Sequence, residues 1–301
     1  MKRSGCLALA LIVACSWSAV SLRIVCTTTI VGDVVARIAG EGNELTILLP
    51  VNADPHAFEP TPQDLVAITR ADVVFLNGAG LEGNLDPILE NASGLVVALS
   101  DDLDLLLLDA SDHEDSKHEQ DHDEADPHVW FDPTYVVAWV NLITDVLTEQ
   151  DPGGESKYRG RADAYRAELA ELDAWIEEQV SGLPREKRKL VTDHAVFGYF
   201  ATRYGFEQVG TVFPGLSSLS EPSARDLASL EETIVALGVP VLFVGTTVNR
   251  SLAEQVAADT GTRIVILYTG SLSEPGGPAS GYLELMRYDV TAIVEGLSEA
   301  P

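Results

Sequence analysis

The sequence of 301 residues is short of cysteine and of basic residues. Its three cysteines, Cys6, Cys15 and Cys26, are too few and too scattered to form a disulfide framework. Only 19 lysine and arginine residues stand against 47 acidic ones, which gives a net charge of −28 at pH 7. Such an excess of negative charge disfavours nucleic acid as a partner and attracts cations. No apolar run is long enough to span a bilayer.

The N-terminus has the features of a secretory signal within residues 1–21. Two basic residues precede a short apolar run at 7–14, which ends at Cys15 in the tetrapeptide IVAC. This tetrapeptide resembles a bacterial lipobox, in which the cysteine is acylated and becomes the mature N-terminus. We therefore predict that Cys15 is a lipid anchor and that the protein lies in the periplasm or on the outer face of the cell membrane. Cleavage nearer Ala19 or Ser21 is the alternative.

The stretch 112–133 holds four of the six histidines and nine acidic residues. Its first part is polar and low in complexity, which predicts a mobile surface loop over residues 109–126. Imidazoles beside carboxylates suit a borderline divalent cation, zinc above all. We therefore expect His113, His118 and His122 to bind metal weakly, as an accessory site. A solvated acidic linker is the alternative interpretation.

Apolar strands alternate with helices along the chain, which predicts an α/β fold with parallel sheets covered by helices on both faces. The pattern occurs in two halves of similar plan, at 22–152 and 184–301. The stretch 153–183 between them predicts one long helix, about 37 Å at 1.5 Å per residue, which can run along both halves. Its apolar positions recur at helical spacing: Tyr158, Ala162, Tyr165, Leu169, Leu172, Ile176 and Val180.

Besides His113, His118 and His122, the chain has three histidines, and each lies where a predicted strand ends or a predicted helix begins. His56 follows a strand, His128 precedes a helix, and His194 follows a strand and opens a predicted helix at 195–204. In open α/β sheets the ligand crevice lies outside the carboxyl ends of the strands, so the three imidazoles can converge on one metal site. A structural role in a turn is the alternative for each histidine taken singly. Nearby acidic residues are candidate helix caps, turn formers or partners of the imidazoles: Asp54, Glu59, Asp132 and Asp193.

Several motifs in combination resemble the metal-binding solute-binding proteins of bacterial zinc and manganese ABC transporters, over essentially the whole mature chain. They are the signal, DPH at 54–56 with EPT at 59–61, the acidic histidine strip, DPHVW at 126–130, TDH at 192–194 with FGYF at 197–200, and MRYD at 286–289. The resemblance implies two α/β lobes joined by one long rigid helix, with a metal ion in the cleft between the lobes. It implies that His56, His128 and His194 hold the ion. It also implies delivery to an ABC permease that a cytoplasmic ATPase drives.

The chain departs from this resemblance at Gly270, where many members carry an aspartate ligand. The fourth ligand could then be Glu221, Glu274 or a water molecule. Manganese-type members also tend to carry a carboxylate at the position that matches His194. Histidine there and glycine at 270 favour Zn²⁺ as the transported ion, with Mn²⁺ the less favoured alternative.

Three histidines with an open fourth position also fit a catalytic zinc hydratase or hydrolase. The sequence contains no H-E-x-x-H arrangement and no nucleophile motif, so we predict a binding protein and not an enzyme. A surface adhesin or scaffold with an incidental metal is a third hypothesis. We expect the binding protein to be a monomer.

Overall fold

The computed structural model describes residues 21–108 and 124–298. The predicted lipid anchor, Cys15, and the histidines His113, His118 and His122 lie outside these ranges. Within them the chain forms two α/β lobes, one on each side of a single long helix. No helix in the described ranges has the length and apolar character that a membrane crossing needs.

The N-terminal lobe is built on a four-stranded parallel sheet with the order β2-β1-β3-β4. The central strands β1 and β3 are buried and the outer strands are more exposed, as expected when helices cover the middle of a sheet. The elements are β1 (Arg23–Cys26), α1 (Thr29–Ala39), β2 (Glu44–Ile47), α2 (Pro62–Arg70), β3 (Val73–Leu76), α3 (Asp86–Leu89), β4 (Leu95–Ala98) and α4 (Pro133–Gln150). A two-stranded antiparallel pair, β5 (Leu107–Leu108) and β6 (Glu124–Ala125), flanks the undescribed segment.

The C-terminal lobe repeats this plan. Its parallel sheet has the order β8-β7-β9-β10, so each lobe arranges its strands as second, first, third and fourth. In such a sheet the strand order reverses between the first and third strands. The crevice at this topological switch point is the usual ligand site. The elements are β7 (Lys189–Thr192), α6 (Gly198–Tyr204), β8 (Glu207–Thr211), α7 (Ala224–Leu237), β9 (Val241–Gly245), α8 (Ser251–Thr260), β10 (Arg263–Leu267) and α9 (Tyr282–Ser298).

The long helix α5 (Glu155–Ser181) has 27 residues and is therefore about 40 Å long. All seven apolar positions that the sequence analysis assigned to its inner face are buried. The helix packs against α1 and α4 of the N-terminal lobe and against α9 of the C-terminal lobe. The predicted architecture, two parallel-sheet lobes joined by one long helix, is confirmed.

Hydrogen bonds join α5 to the N-terminal lobe and one lobe to the other. Arg161 on α5 donates to the carbonyls of Ile38 and Ala39 at the end of α1. Tyr282, at the start of α9, is fully buried and donates its hydroxyl to the Trp130 carbonyl of the other lobe at 2.7 Å. One hydrophobic core runs through both lobes, so the lobes are packed on each other along this side.

Two sequence predictions need correction, and one strand was missed. The predicted mobile loop was drawn too long, because Asp126 is only 4% exposed and its backbone N–H donates to the Leu106 carbonyl at 2.7 Å. Helix α6 begins at Gly198 and not at Ala195, because the preceding residues form a turn in which the N–H of Val196 donates to the carbonyl of His194. Strand β8 was not predicted, since its sequence, EQVGT, lacks apolar alternation.

Tyr282→Phe tests the bond between the lobes. We expect the free energy of unfolding to fall by about 1–2 kcal/mol, because a buried hydrogen bond is lost. Urea denaturation measures the change. The control is Tyr288→Phe in the same helix, whose hydroxyl makes no hydrogen bond within residues 21–108 and 124–298. Equal losses in the two variants would show that the hydroxyl of Tyr282 is not a tie between lobes.

Candidate metal centre

Three imidazoles from two lobes meet at the carboxyl ends of the sheet strands. His56 comes from the loop after β2, His128 from the segment before α4, and His194 from the turn after β7. Their ring centroids lie 5.2–5.4 Å apart. One nitrogen from each ring lies within 4.8 Å of the other two. The structure thus brings together the three histidines that the sequence analysis selected.

His56 is positioned by the turn Asp54-Pro55-His56. The Oδ1 atom of Asp54 accepts a hydrogen bond from the backbone N–H of His56 at 3.0 Å, as in an Asx turn. The other carboxylate oxygen accepts from the hydroxyl of Ser218 at 2.5 Å. Because Ser218 belongs to the C-terminal lobe, this bond connects the two lobes beside His56.

His128 is fixed by a second Asp-Pro-His turn, at 126–128. The Oδ1 atom of Asp126 accepts from both the backbone N–H and the Nδ1 of His128, at 2.9 and 2.8 Å. With Nδ1 bonded to the carboxylate, the lone pair is on Nε2, which lies 3.2 Å from Nε2 of His56. The side chain of Asn77, at the end of β3, donates to the Pro127 carbonyl and ties this turn to the sheet.

His194 is likewise held by an aspartate, its neighbour in sequence. The Oδ1 atom of Asp193 lies 2.5 Å from Nδ1 of His194, and its Oδ2 accepts from the backbone N–H of Gly245 at 2.5 Å. Gly245 ends β9, so Asp193 bridges β7 and β9, where the chain changes direction in this sheet. A carboxylate on Nδ1 orients the ring and makes the remaining nitrogen a better ligand.

Burial keeps two of these imidazoles uncharged. Burial, and then the charges of the other two rings, lower the pKa of His56 to about 2. Burial also lowers the pKa of His128, although the hydrogen bond to Asp126 acts in the opposite direction. Neutral imidazoles carry the lone pairs that a metal ion requires.

The wall around the three imidazoles contains one carboxylate, within the described residues. The lining consists of Asp54, Pro55, Trp130, Val196, Thr247, Thr269 and Gly270. Gly270 therefore borders the site, as the sequence analysis expected. Glu221 and Glu274, the two suggested fourth ligands, are exposed and do not line the cleft. The loop that precedes Glu221 reaches the other lobe through Ser218 instead.

Sequence reasoning missed the role of Asp126. It assigned this residue to the mobile loop because the acidic strip continues up to it without a break in composition. The signal was present, since the triplet Asp-Pro-His occurs at both 54–56 and 126–128. In both copies the aspartate accepts from the backbone N–H of the histidine two residues later.

Known proteins resemble the chain over nearly its whole length. The family described as zinc-uptake complex component A, periplasmic, matches residues 24–296. The manganese-binding lipoprotein MntA of Halalkalibacterium halodurans is 37% identical over 280 residues, which cover 92% of this chain and 89% of the relative. The manganese ABC transporter substrate-binding lipoprotein PsaA of Streptococcus pneumoniae serotype 4 is 28% identical over 287 residues, which cover 92% of this chain and 90% of the relative.

Solved structures give the same result for the fold. The periplasmic zinc binding protein TroA from Treponema pallidum superposes with a TM-score of 0.81 at 28% identity, covering 92% of this chain and 99% of that one. A Mn-bound periplasmic metal binding protein from Candidatus Liberibacter asiaticus has a TM-score of 0.79 at 26% identity, covering 91% and 98%. The chain belongs to the zinc-uptake complex component A family and is a metal-binding substrate-binding protein of an ABC transporter, not an enzyme.

Proposed function

We propose that the protein captures Zn²⁺ outside the cytoplasm with His56, His128 and His194 and delivers it to an ABC permease. The observation that supports this proposal is the convergence of three imidazole nitrogens within 4.8 Å of one another, with no carboxylate oxygen in that group among the described residues. Zn²⁺ accepts imidazole nitrogen and four-coordination, whereas Mn²⁺ prefers oxygen ligands and octahedral geometry.

Manganese is the second candidate, because a specific finding favours it. The relatives MntA and PsaA are named for manganese, and MntA shares 37% of its residues with this chain over the aligned length. The chemistry of the three nitrogen donors argues against manganese. Two oxygen ligands that a manganese site would use have no counterpart here, since position 194 is histidine and position 270 is glycine. The general order of divalent affinities also favours zinc at nitrogen donors.

The proposed partners follow from the transporter class. We place the protein outside the cytoplasm, tethered through an acylated Cys15, because relatives are named as lipoproteins of metal ABC transporters. Its partners are then the permease and the ATPase that drives it. A monomer is sufficient for this role, since both lobes that supply the histidines belong to one chain.

Alanine variants of the three histidines test the site. We expect His56→Ala, His128→Ala and His194→Ala each to weaken zinc binding at least a hundredfold, about 2.7 kcal/mol, because a neutral ligand is lost and the ion is left undercoordinated. Competition with a chelator measures the affinity of the purified protein. His118→Ala is the matched control, which removes one imidazole from the acidic strip. A histidine whose variant binds zinc as tightly as the unmodified protein is not a ligand.

Direct competition tests the choice of metal. We expect zinc to outcompete manganese by about a thousandfold, equivalent to ~4 kcal/mol, because all three protein donors are nitrogens. The apo protein is offered an equimolar mixture of the two ions, and mass spectrometry of the intact complex reads the metal content. Equal loading, or an excess of manganese, would assign the site to the manganese class.

The acidic histidine strip is predicted to collect zinc without forming part of the tight site. Deletion of 112–123, which leaves the buried Asp126 in place, should remove weak zinc equivalents and leave one tight equivalent, because ordering a low-complexity segment around an ion costs backbone entropy. Isothermal calorimetry separates the two phases. Loss of the tight phase in the deletion variant would show that the strip contributes to the principal site.

A further inference from the structure

His56 differs from the other two histidines in how its ring is held. Nδ1 of His128 lies 2.8 Å from a carboxylate oxygen of Asp126. Nδ1 of His194 lies 2.5 Å from a carboxylate oxygen of Asp193. Within the part of the chain that the structure describes, no carboxylate forms such a pair with the ring of His56. His56 is also partly exposed, whereas His128 and His194 are buried. The position of the His56 ring therefore depends on the backbone of the loop that carries it.

This His56 loop (residues 50–56) is hydrogen-bonded to the C-terminal lobe at two points. At the first, one oxygen of Asp54 accepts from the hydroxyl of Ser218 at 2.5 Å. The other oxygen of the same carboxylate accepts from the backbone N–H of His56. One carboxylate thus connects the C-terminal lobe directly to the backbone of the histidine. A hydrogen bond to a carboxylate is also stronger than one between neutral groups.

The second point is the hydroxyl of Ser271, in the loop after β10. Its Oγ accepts from the backbone N–H of Asn52 at 2.9 Å and donates to the carbonyl of Leu272 at 3.0 Å. Ser271 is only 1% exposed, so this hydroxyl is fixed inside the C-terminal lobe. Asn52 has a φ of 65°, in the left-handed region that asparagine adopts more readily than most residues. Ser271 therefore holds a tight turn four residues before His56.

The N-terminal lobe holds the same loop by a longer bond. Nδ2 of Asn84, in the segment after β3, donates to the carbonyl of His56 at 3.3 Å. The side chains of Ser218 and Ser271 reach the loop from the opposite side of the cleft at 2.5 and 2.9 Å. The shorter side-chain bonds to this N-terminal loop thus come from the C-terminal lobe.

We propose that Ser218 and Ser271 of the C-terminal lobe are positioning residues for His56, a ligand that the N-terminal lobe supplies. This inference rests on the proposed zinc site. His128 and His194 are each oriented by an aspartate next to them in the chain, whereas His56 is oriented across the cleft. Loss of either serine hydroxyl lets the His56 loop move away from the other two rings, so a bound ion loses this ligand more readily.

Zinc release from the variants Ser218→Ala and Ser271→Ala tests the proposal. We expect the dissociation rate of zinc to rise about tenfold for Ser218→Ala and about threefold for Ser271→Ala, because the bond to the carboxylate is the stronger one. Transfer of zinc to an excess of a chromophoric chelator measures the rate. An unchanged rate in either variant would contradict the proposal.

Neighbouring serines provide matched controls. The hydroxyl of Ser217 accepts from the backbone N–H of Leu219, and that of Ser273 donates to the carbonyl of Glu274. Both bonds lie within the serine's own loop, so Ser217→Ala and Ser273→Ala should release zinc at the unmodified rate. Release as fast as from Ser218→Ala and Ser271→Ala would show that loss of any hydroxyl in these loops suffices, which would overturn the proposal.

The His56→Ala background shows whether Ser218 acts through this histidine. The single variant keeps two imidazoles, so its weaker zinc affinity is still measurable by competition with a chelator. We expect Ser218→Ala to lower zinc affinity about tenfold in the unmodified protein and to leave it unchanged in His56→Ala, since no ring is left to position. Equal losses in the two backgrounds would show that Ser218 merely holds the lobes together.

Ser218→Thr separates the hydrogen bond from the shape of the side chain. It keeps the hydroxyl and should release zinc at close to the unmodified rate. Release from the threonine variant as fast as from Ser218→Ala would contradict the proposal. The unmodified protein is measured first: if it binds no zinc, the proposed function itself fails. If it binds zinc and the serine variants release the ion at the same rate as it does, the positioning role alone fails.

Discussion

The structure depends on the close approach of three imidazoles, those of His56, His128 and His194. Rings whose centroids are 5.2–5.4 Å apart would repel one another strongly if they were protonated. Burial removes that repulsion by lowering the pKa of His56 to about 2 and by lowering the pKa of His128. The same burial requires that the polar nitrogens find partners, and two of the three rings find them in aspartates adjacent in sequence or two residues away. The donor set is therefore prepared before an ion arrives.

Two lobes must hold a common geometry for this arrangement to persist. Each lobe presents the carboxyl ends of its parallel strands to the cleft, and α5 packs against helices of both lobes. Tyr282 joins α9 to the carbonyl of Trp130, two residues after His128. Beside His56 the tie between lobes is the hydroxyl of Ser218 on Asp54. The lobes are thus joined by a broad shared core and, next to the histidines, by individual polar bonds.

The sequence predicted those elements that depend on residues near each other in the chain. The apolar period of α5 is present as predicted. The N-caps Thr61 and Ser223 are equally local, since each pairs with an aspartate at the third helical position. The start of α6, the strand β8 and the burial of Asp126 were not predicted, because each depends on distant partners. Tyr199, for example, donates its hydroxyl to the carbonyl of Asp126 across 73 residues. The three histidines could be chosen from the sequence because strand ends in α/β sheets meet at one edge. The carboxylate partners could not be ranked, since their roles differ only in three-dimensional contacts.

Direct oxygen ligands distinguish a manganese site from a zinc site. Here the carboxylates lie outside the group of three nitrogen donors. Asp126 and Asp193 contact Nδ1 of His128 and His194, so in the proposed site their charge would act on the ion through the rings without coordinating it. A manganese ion gains little from this arrangement, because its preference is for direct carboxylate contact and six ligands. Gly270 reinforces the difference. Its close approach to Pro55 keeps the cleft narrow, and a narrow cleft with three nitrogens suits a small ion of low coordination number. The fold alone does not fix the ion, since solved structures of this fold include a zinc binding protein and a Mn-bound protein. A few side chains where the two lobes meet set the ligand chemistry.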